Sequence, residues 1–229
     1  MSLPPDVLDH IFSFLQSDTG TLKACSQSHP TLSQLVERHL YVRITLYDYD
    51  AVDDKGLGTT EYAKLLIDRP YIVDYIRILE IKMVPFGGRH LDKILKMLPI
   101  LFNLKKVTLA SRESSPAAAL AWAVLPKRFH LALLDCLHLP NMKELCINDI
   151  PDFPLSSLNN CNTIENLTLR GWAPDAEASS WPQMRNLHAL VYDRCDSSLV
   201  LLSQLIESCS NRLTRLYIDF GHKCTPYSP

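Results

Sequence analysis

Apolar residues recur along this chain with two different periods. Between Asp6 and Leu15, the residues Leu8, Ile11, Phe12 and Leu15 fall at i, i+3, i+4 and i+7, which predicts a helix with an apolar stripe. Val7, Ile11 and Phe14 mark a second stripe beside the first. Proline is tolerated in a first helical turn and a carboxylate suits its positive end, so Pro4, Pro5 and Asp6 set the start. Two further helices are predicted over Thr19–Ser26 and Thr31–His39, the latter carrying Leu32, Leu35 and Val36. Three short helices bury too little surface to stand alone. Their surplus apolar area therefore meets either the rest of the chain or a partner.

From residue 76 onward the spacing L-x-x-L-x-L repeats. It occurs as Ile76–Ile81, Leu104–Leu109, Met142–Ile147, Ile164–Leu169, Leu187–Tyr192 and Leu213–Ile218, with starts 28, 38, 22, 23 and 26 residues apart. The last two apolar positions of each segment lie two residues apart, so they share one face of a strand. Helical segments lie between strands at Leu91–Leu101, Pro126–Leu137 and Ser197–Cys209, and prolines punctuate the connections. A unit of one strand and one helix cannot hide its own apolar face, so units must stack. The fold class expected is α/β, a parallel sheet with helices on its outer side. The long step from 109 to 142 predicts an insertion around an Ala-rich helix, Pro116–Val124.

Between the two periodic regions lies an acidic stretch, Tyr47–Gly56, followed by a helix over Thr60–Leu66. It lacks the ligand order of an EF-hand and predicts a solvated loop. The expected organisation is therefore 1–46, a helical module; 47–75, a connecting segment; and 76–229, a repeat array.

Composition narrows the function. A net charge of −2 leaves no basic footprint for nucleic acid, and no apolar run is long enough to span a membrane. Seven cysteines at irregular spacing, without a C-x-x-C pair or a signal peptide, predict a reduced intracellular protein of the cytoplasm or nucleus. No nucleotide loop, nucleophile elbow or zinc-protease motif is present, so neither a catalytic site nor a cofactor is expected. Cys25 with His29, and His130 with Cys136 and His138, are loose clusters that read more simply as core thiols and amphipathic helix positions. The outward positions of the strands, Glu80, Lys82, Lys106, Glu144, Arg170, Asp193, Arg215 and Asp219, carry four charges of each sign. Such a face suits a protein ligand, and Lys106, Glu144, Asn148, Arg170, Asp193, Arg215 and Tyr217 are the candidate substrate-binding residues.

The run Leu3-Pro4-Pro5-Asp6-Val7-Leu8-Asp9-His10-Ile11-Phe12-Ser13-Phe14-Leu15 closely resembles the start of the F-box. Thr21–Ser26 resembles its second helix, and His39–Leu46 resembles the segment that closes the module in fungal F-box proteins. Leu32 stands where the family often has tryptophan. The later segments resemble leucine-rich repeats more loosely; the Asn or Cys that follows each strand there is in place once, as Cys195. The resemblance implies that residues 1–46 dock on Skp1, and through it on a cullin scaffold, with the repeats presenting a protein substrate for ubiquitin-dependent degradation by an SCF ubiquitin ligase. It makes Leu3, Pro4, Val7, Ile11, Phe12 and Leu15 candidates for the Skp1-facing surface, some of which must instead form the module's own core. The alternative is a stand-alone repeat adaptor whose F-box-like helices cap the array.

Overall fold

The structure is a computed structural model, and it describes residues 3–84, 88–112, 120–159, 161–172, 184–193, 199–208 and 212–219. Three helices come first: α1 (Pro5–Phe14), α2 (Thr19–Ser28) and α3 (Pro30–Leu40). Strands and helices follow as β1 (Arg43–Tyr47), α4 (Thr59–Asp68), β2 (Ile78–Met83), α5 (Leu91–Met97), β3 (Lys106–Ser111) and α6 (Lys127–Leu137). The remainder is β4 (Glu144–Asn148), β5 (Asn166–Arg170), β6 (Ala189–Asp193), α7 (Leu199–Ser208) and β7 (Arg215–Asp219). The protein is thus mixed α/β.

The seven strands among the described residues form one parallel sheet in chain order, β1 to β7. Among the described residues the strand order never reverses, and there is no switch point of the kind at which doubly wound folds bind nucleotides. The register stacks the apolar positions into two inward rows. One runs Ile44, Leu79, Val107, Leu145, Leu167, Leu190 and the other Leu46, Ile81, Leu109, Ile147, Leu169, Tyr192; none of these is more than 1% exposed. Helices α4, α5 and α6 close over this face with Tyr62, Leu66, Ile94, Met97, Phe129, Leu133 and Leu137. Burying one such aliphatic side chain is worth roughly 1.5–3 kcal/mol. Among the described residues the opposite face carries no such cover, and β2 and β4 alternate cleanly between buried and half-buried residues.

Each expected strand is present, beginning two residues after the first apolar position of its motif. Those leading residues, Ile76, Leu104, Met142, Ile164 and Leu187, are also buried. A seventh strand, β1, was not among them: residues 43–46, read from the sequence as the close of the helical module, pair with β2. Helix α5 is shorter than expected because Pro99 cannot continue it, and Leu98–Ile100 tightens into a 3₁₀ turn. Residues 116–119 of the Ala-rich segment and Cys195 lie outside the described residues; the segment's end, Trp122–Val124, is a 3₁₀ turn rather than α-helix. Asp152 caps that turn, accepting from the Trp122 and Ala123 N–H groups at 2.5 and 3.1 Å.

The acidic stretch is built into the fold, not left as a solvated loop. The Asp53 side chain is 2% exposed and its Oδ1 accepts from the N–H groups of Lys55 and Leu57 at 2.9 and 3.1 Å. Tyr62 O–H donates to its other oxygen. Lys55, itself buried, supplies the counter-charge at 3.3 Å. The loop thereby organises the free side of β1. There the Thr59 hydroxyl accepts from the Tyr47 N–H at 2.7 Å and donates to the Tyr47 carbonyl at 2.6 Å. Replacing Thr59 with Val strands two buried backbone groups; urea denaturation is expected to show a loss of about 2–4 kcal/mol, against under about 0.5 kcal/mol for Thr60→Val on the surface.

Asp48, which follows β1, is 1% exposed. Burial pushes its carboxyl up to about 6, opposed by the Val84 N–H at 3.0 Å and by nearby His90. The folded chain therefore holds this proton more tightly than the unfolded chain, whose carboxyl titrates near 3.8. The stabilisation is complete below pH ~4 and fades as pH rises through ~6. Asp48→Asn, which keeps an acceptor for Val84, is expected to flatten that decline and to unfold at higher urea than the wild type at pH 7.

Candidate functional site

Two surfaces stand out, one on α1 and one on the sheet. The two stripes of α1 go to opposite destinations. Phe12, only 4% exposed, meets Leu22, Val36 and Leu40 in a core of the helical module, with Leu8, Leu15, Leu32 and Leu35 packed around them. A polar clamp fixes α1 on α3 from the side: Asp9 Oδ1 accepts from Arg38 at 2.6 Å and from His39 Nε2 at 2.5 Å, and Gln16 Nε2 donates to His39 Nδ1 at 3.2 Å.

The second stripe faces solvent. Leu3, Val7, Ile11 and Phe14 are 55, 43, 41 and 73% exposed; the spacing of Val7, Ile11 and Phe14 puts them along one side of the helix, and Leu3 lies just ahead of its start. Pro4 is exposed beside them. Of the six residues expected to face a partner, Leu3, Pro4, Val7 and Ile11 therefore lie outside. Phe12 does not: its ring is the centre of the module's core, and Leu15 packs against that core half-buried. Phe14, the most exposed of the apolar stripe, was marked in the sequence by its i+3 spacing from Ile11.

The helical module joins the sheet through its other side. Buried Glu37 on α3 accepts from Arg69 at 2.6 Å and from the Tyr71 hydroxyl at 2.8 Å, and Lys23 donates to the Lys55 carbonyl at 2.5 Å. Tyr41 packs against the cores of both the module and the sheet.

On the uncovered sheet face the register makes three rows. Lys106, Glu144 and Arg215 lie in the first, Tyr217 in the second, and Asn148, Arg170 and Asp193 in the third, so the parallel ladder brings all seven expected substrate-binding residues to one face. The middle row is short-chained from β3 to β6, as Thr108, Cys146, Thr168 and Val191, with Glu80 standing in the same row on β2. Longer side chains stand on either side of this strip. Their charges are largely spent on one another, as Lys82–Glu80 at 3.4 Å, Lys106–Glu144 at 2.9 Å and Arg170–Asp193 at 3.2 Å. The even balance of sign read from the sequence is thus internal pairing. At the β1 side the face turns aromatic and cationic, with Lys82 over Tyr47 at 5.6 Å and Arg112 over Tyr49 at 4.9 Å.

The loose His and Cys clusters do not converge. His130 stacks on Trp122 and bonds its carbonyl at 3.0 Å, while His138 bonds the Leu134 carbonyl at 2.7 Å. Burial pushes the Cys136 thiol up to about 12 and Cys161 to about 11, so both stay protonated at neutral pH. Cys25 packs into the module's core. Among the described residues, no three His, Cys, Asp or Glu are grouped to hold a metal ion, and no helix is long and apolar enough to cross a membrane.

Compared with known proteins, the chain matches no family model and no curated relative.

The two stripes of α1 separate by mutation. Phe12→Ala is expected to destabilise the helical module by about 3–5 kcal/mol, whereas Phe14→Ala should change stability by under about 0.5 kcal/mol. Thermal denaturation followed by circular dichroism measures both.

Proposed function

We propose that this protein is the substrate-recognition subunit of an SCF-type ubiquitin ligase, with its N-terminal helices acting as an F-box that docks on Skp1. The observation that carries this reading is the exposed apolar stripe Leu3–Val7–Ile11–Phe14. Three exposed apolar side chains along a single helix, with Leu3 just ahead of it, beside a core formed by Phe12, Leu22, Val36 and Leu40, are what a helix-docking partner requires. A module serving only to cap the array would turn that stripe into the chain; here the contacts to the sheet come from α2, α3 and Tyr41 instead. The closeness of residues 3–15 to the F-box pattern names the partner class.

In this reading the parallel sheet is a leucine-rich-repeat-like array and its uncovered face is the substrate surface. Its strip of short side chains leaves room for a protein segment laid across the strands, and the self-paired charges beside it limit indiscriminate electrostatic attachment. The chain supplies no chemistry. Through Skp1 and a cullin scaffold it raises the effective concentration of a substrate lysine near the charged conjugating enzyme, in the cytoplasm or nucleus.

Co-expression with Skp1 tests the reading. A stoichiometric complex is expected with the wild type and lost with Val7→Asp/Ile11→Asp, two exposed positions whose change leaves the circular dichroism spectrum intact. Wild-type protein that is folded and monodisperse yet ignores Skp1 would leave the stand-alone adaptor as the better reading.

A further inference from the structure

The two edges of the sheet are treated differently. At the β1 edge, Thr59 satisfies the free backbone groups of Tyr47, and Ile44 and Leu46 are fully buried. At the β7 edge, Leu216 continues the inward row of Leu190 yet is 45% exposed, and Ile218 is half-exposed beyond Tyr192. Among the described residues no strand pairs with the far side of β7. The Arg215 N–H donates to His188 at 3.0 Å. Parallel geometry then turns the backbone of Arg215, Tyr217 and Asp219 toward β6, and that of Leu216 and Ile218 toward the open side. An edge of this kind, apolar on one face, is a template for another strand.

The sequence of β7 says which strand. Arg215-Leu216-Tyr217-Ile218-Asp219 is complementary to itself when reversed. We propose that β7 is a homodimer edge, pairing antiparallel with β7 of a second copy about a two-fold axis at Tyr217. In that register Leu216 and Ile218 of one copy exchange backbone hydrogen bonds with Ile218 and Leu216 of the other, using the four outward-turned N–H groups. The same two residues bring their side chains together across the axis and close the open end of both apolar cores. On the other face Tyr217 meets its counterpart, and each Arg215 lies opposite an Asp219 of the second copy, an opposite-charge cross-strand pair. The interface is isologous, so it closes at two copies. The dimer leaves the α1 stripe, at the far end of the sheet, untouched.

Sedimentation velocity of the full chain from about 1 to about 300 μM tests the proposal. The wild type is expected to shift from monomer to dimer across this range. Arg215→Asp and Asp219→Arg, each placing like charges opposite one another twice, should each weaken association about ten-fold or more. Two outcomes are specific to the antiparallel register: an equimolar mixture of these two variants should dimerise as the wild type does, and so should the double variant R215D/D219R. Circular dichroism of each variant confirms that it is folded. A wild type that stays monomeric throughout overturns the proposal and assigns the edge to the chain beyond residue 219 or to a different protein. Dimerisation that both single variants retain also overturns it.

Discussion

The structure depends on one constraint: no strand of this sheet can bury its own aliphatic residues. Each inward side chain from Ile44 and Leu46 to Leu190 and Tyr192 loses contact with water because the next strand places its own apolar residue alongside, in register, and helices α4 to α6 and the Leu155–Leu158 turn pack into the same core. With a side-chain period of two, a slip of one residue would turn every leucine to the solvent face, so the apolar pattern itself holds the ladder. The same constraint makes the uncovered face polar and the two ends of the array special. Stability is shared between neighbours and runs out where neighbours do.

The two ends meet this constraint in different ways. At β1 the chain spends a whole segment on closure: Asp53 ties the 53–57 loop, Tyr62 and Lys55 brace it, and Thr59 takes both free groups of Tyr47. The helical module then docks outside this closure through Glu37, Lys23 and Tyr41, which frees the solvent side of α1. Its exposed stripe is therefore a consequence of how the module is anchored. A helix with two apolar stripes can complete a core and still offer a surface.

Much of this was legible in the sequence, because a buried face imposes period two on strands and near-four on helices whatever the tertiary detail. Six strands and most helices followed from that alone. β1 was also written there, since Tyr41-x-x-Ile44-x-Leu46 has the same spacing as the other six motifs. Its resemblance to the end of a helical module masked it, and one residue range turned out to serve both. On α1 the two stripes were visible, but periodicity cannot say which of them faces inward; the Asp9–Arg38–His39 clamp and the packing of Phe12 decide it. The buried roles of Asp48 and Asp53 were not legible, because a run of acidic residues looks the same whether it is solvated or folded around its own backbone N–H groups. Nor was the charge pairing on the sheet face, which arises between residues from different strands or two apart on one strand.

Hydrogen exchange of the chain alone and with added Skp1 tests the central claim most directly, because it reports on the α1 stripe and the sheet at once. Protection that appears over residues 3–15 on adding Skp1, while β2 to β5 exchange at the same rate in both states, is the predicted result. Unchanged exchange over residues 3–15, or protection confined to the sheet, would contradict it.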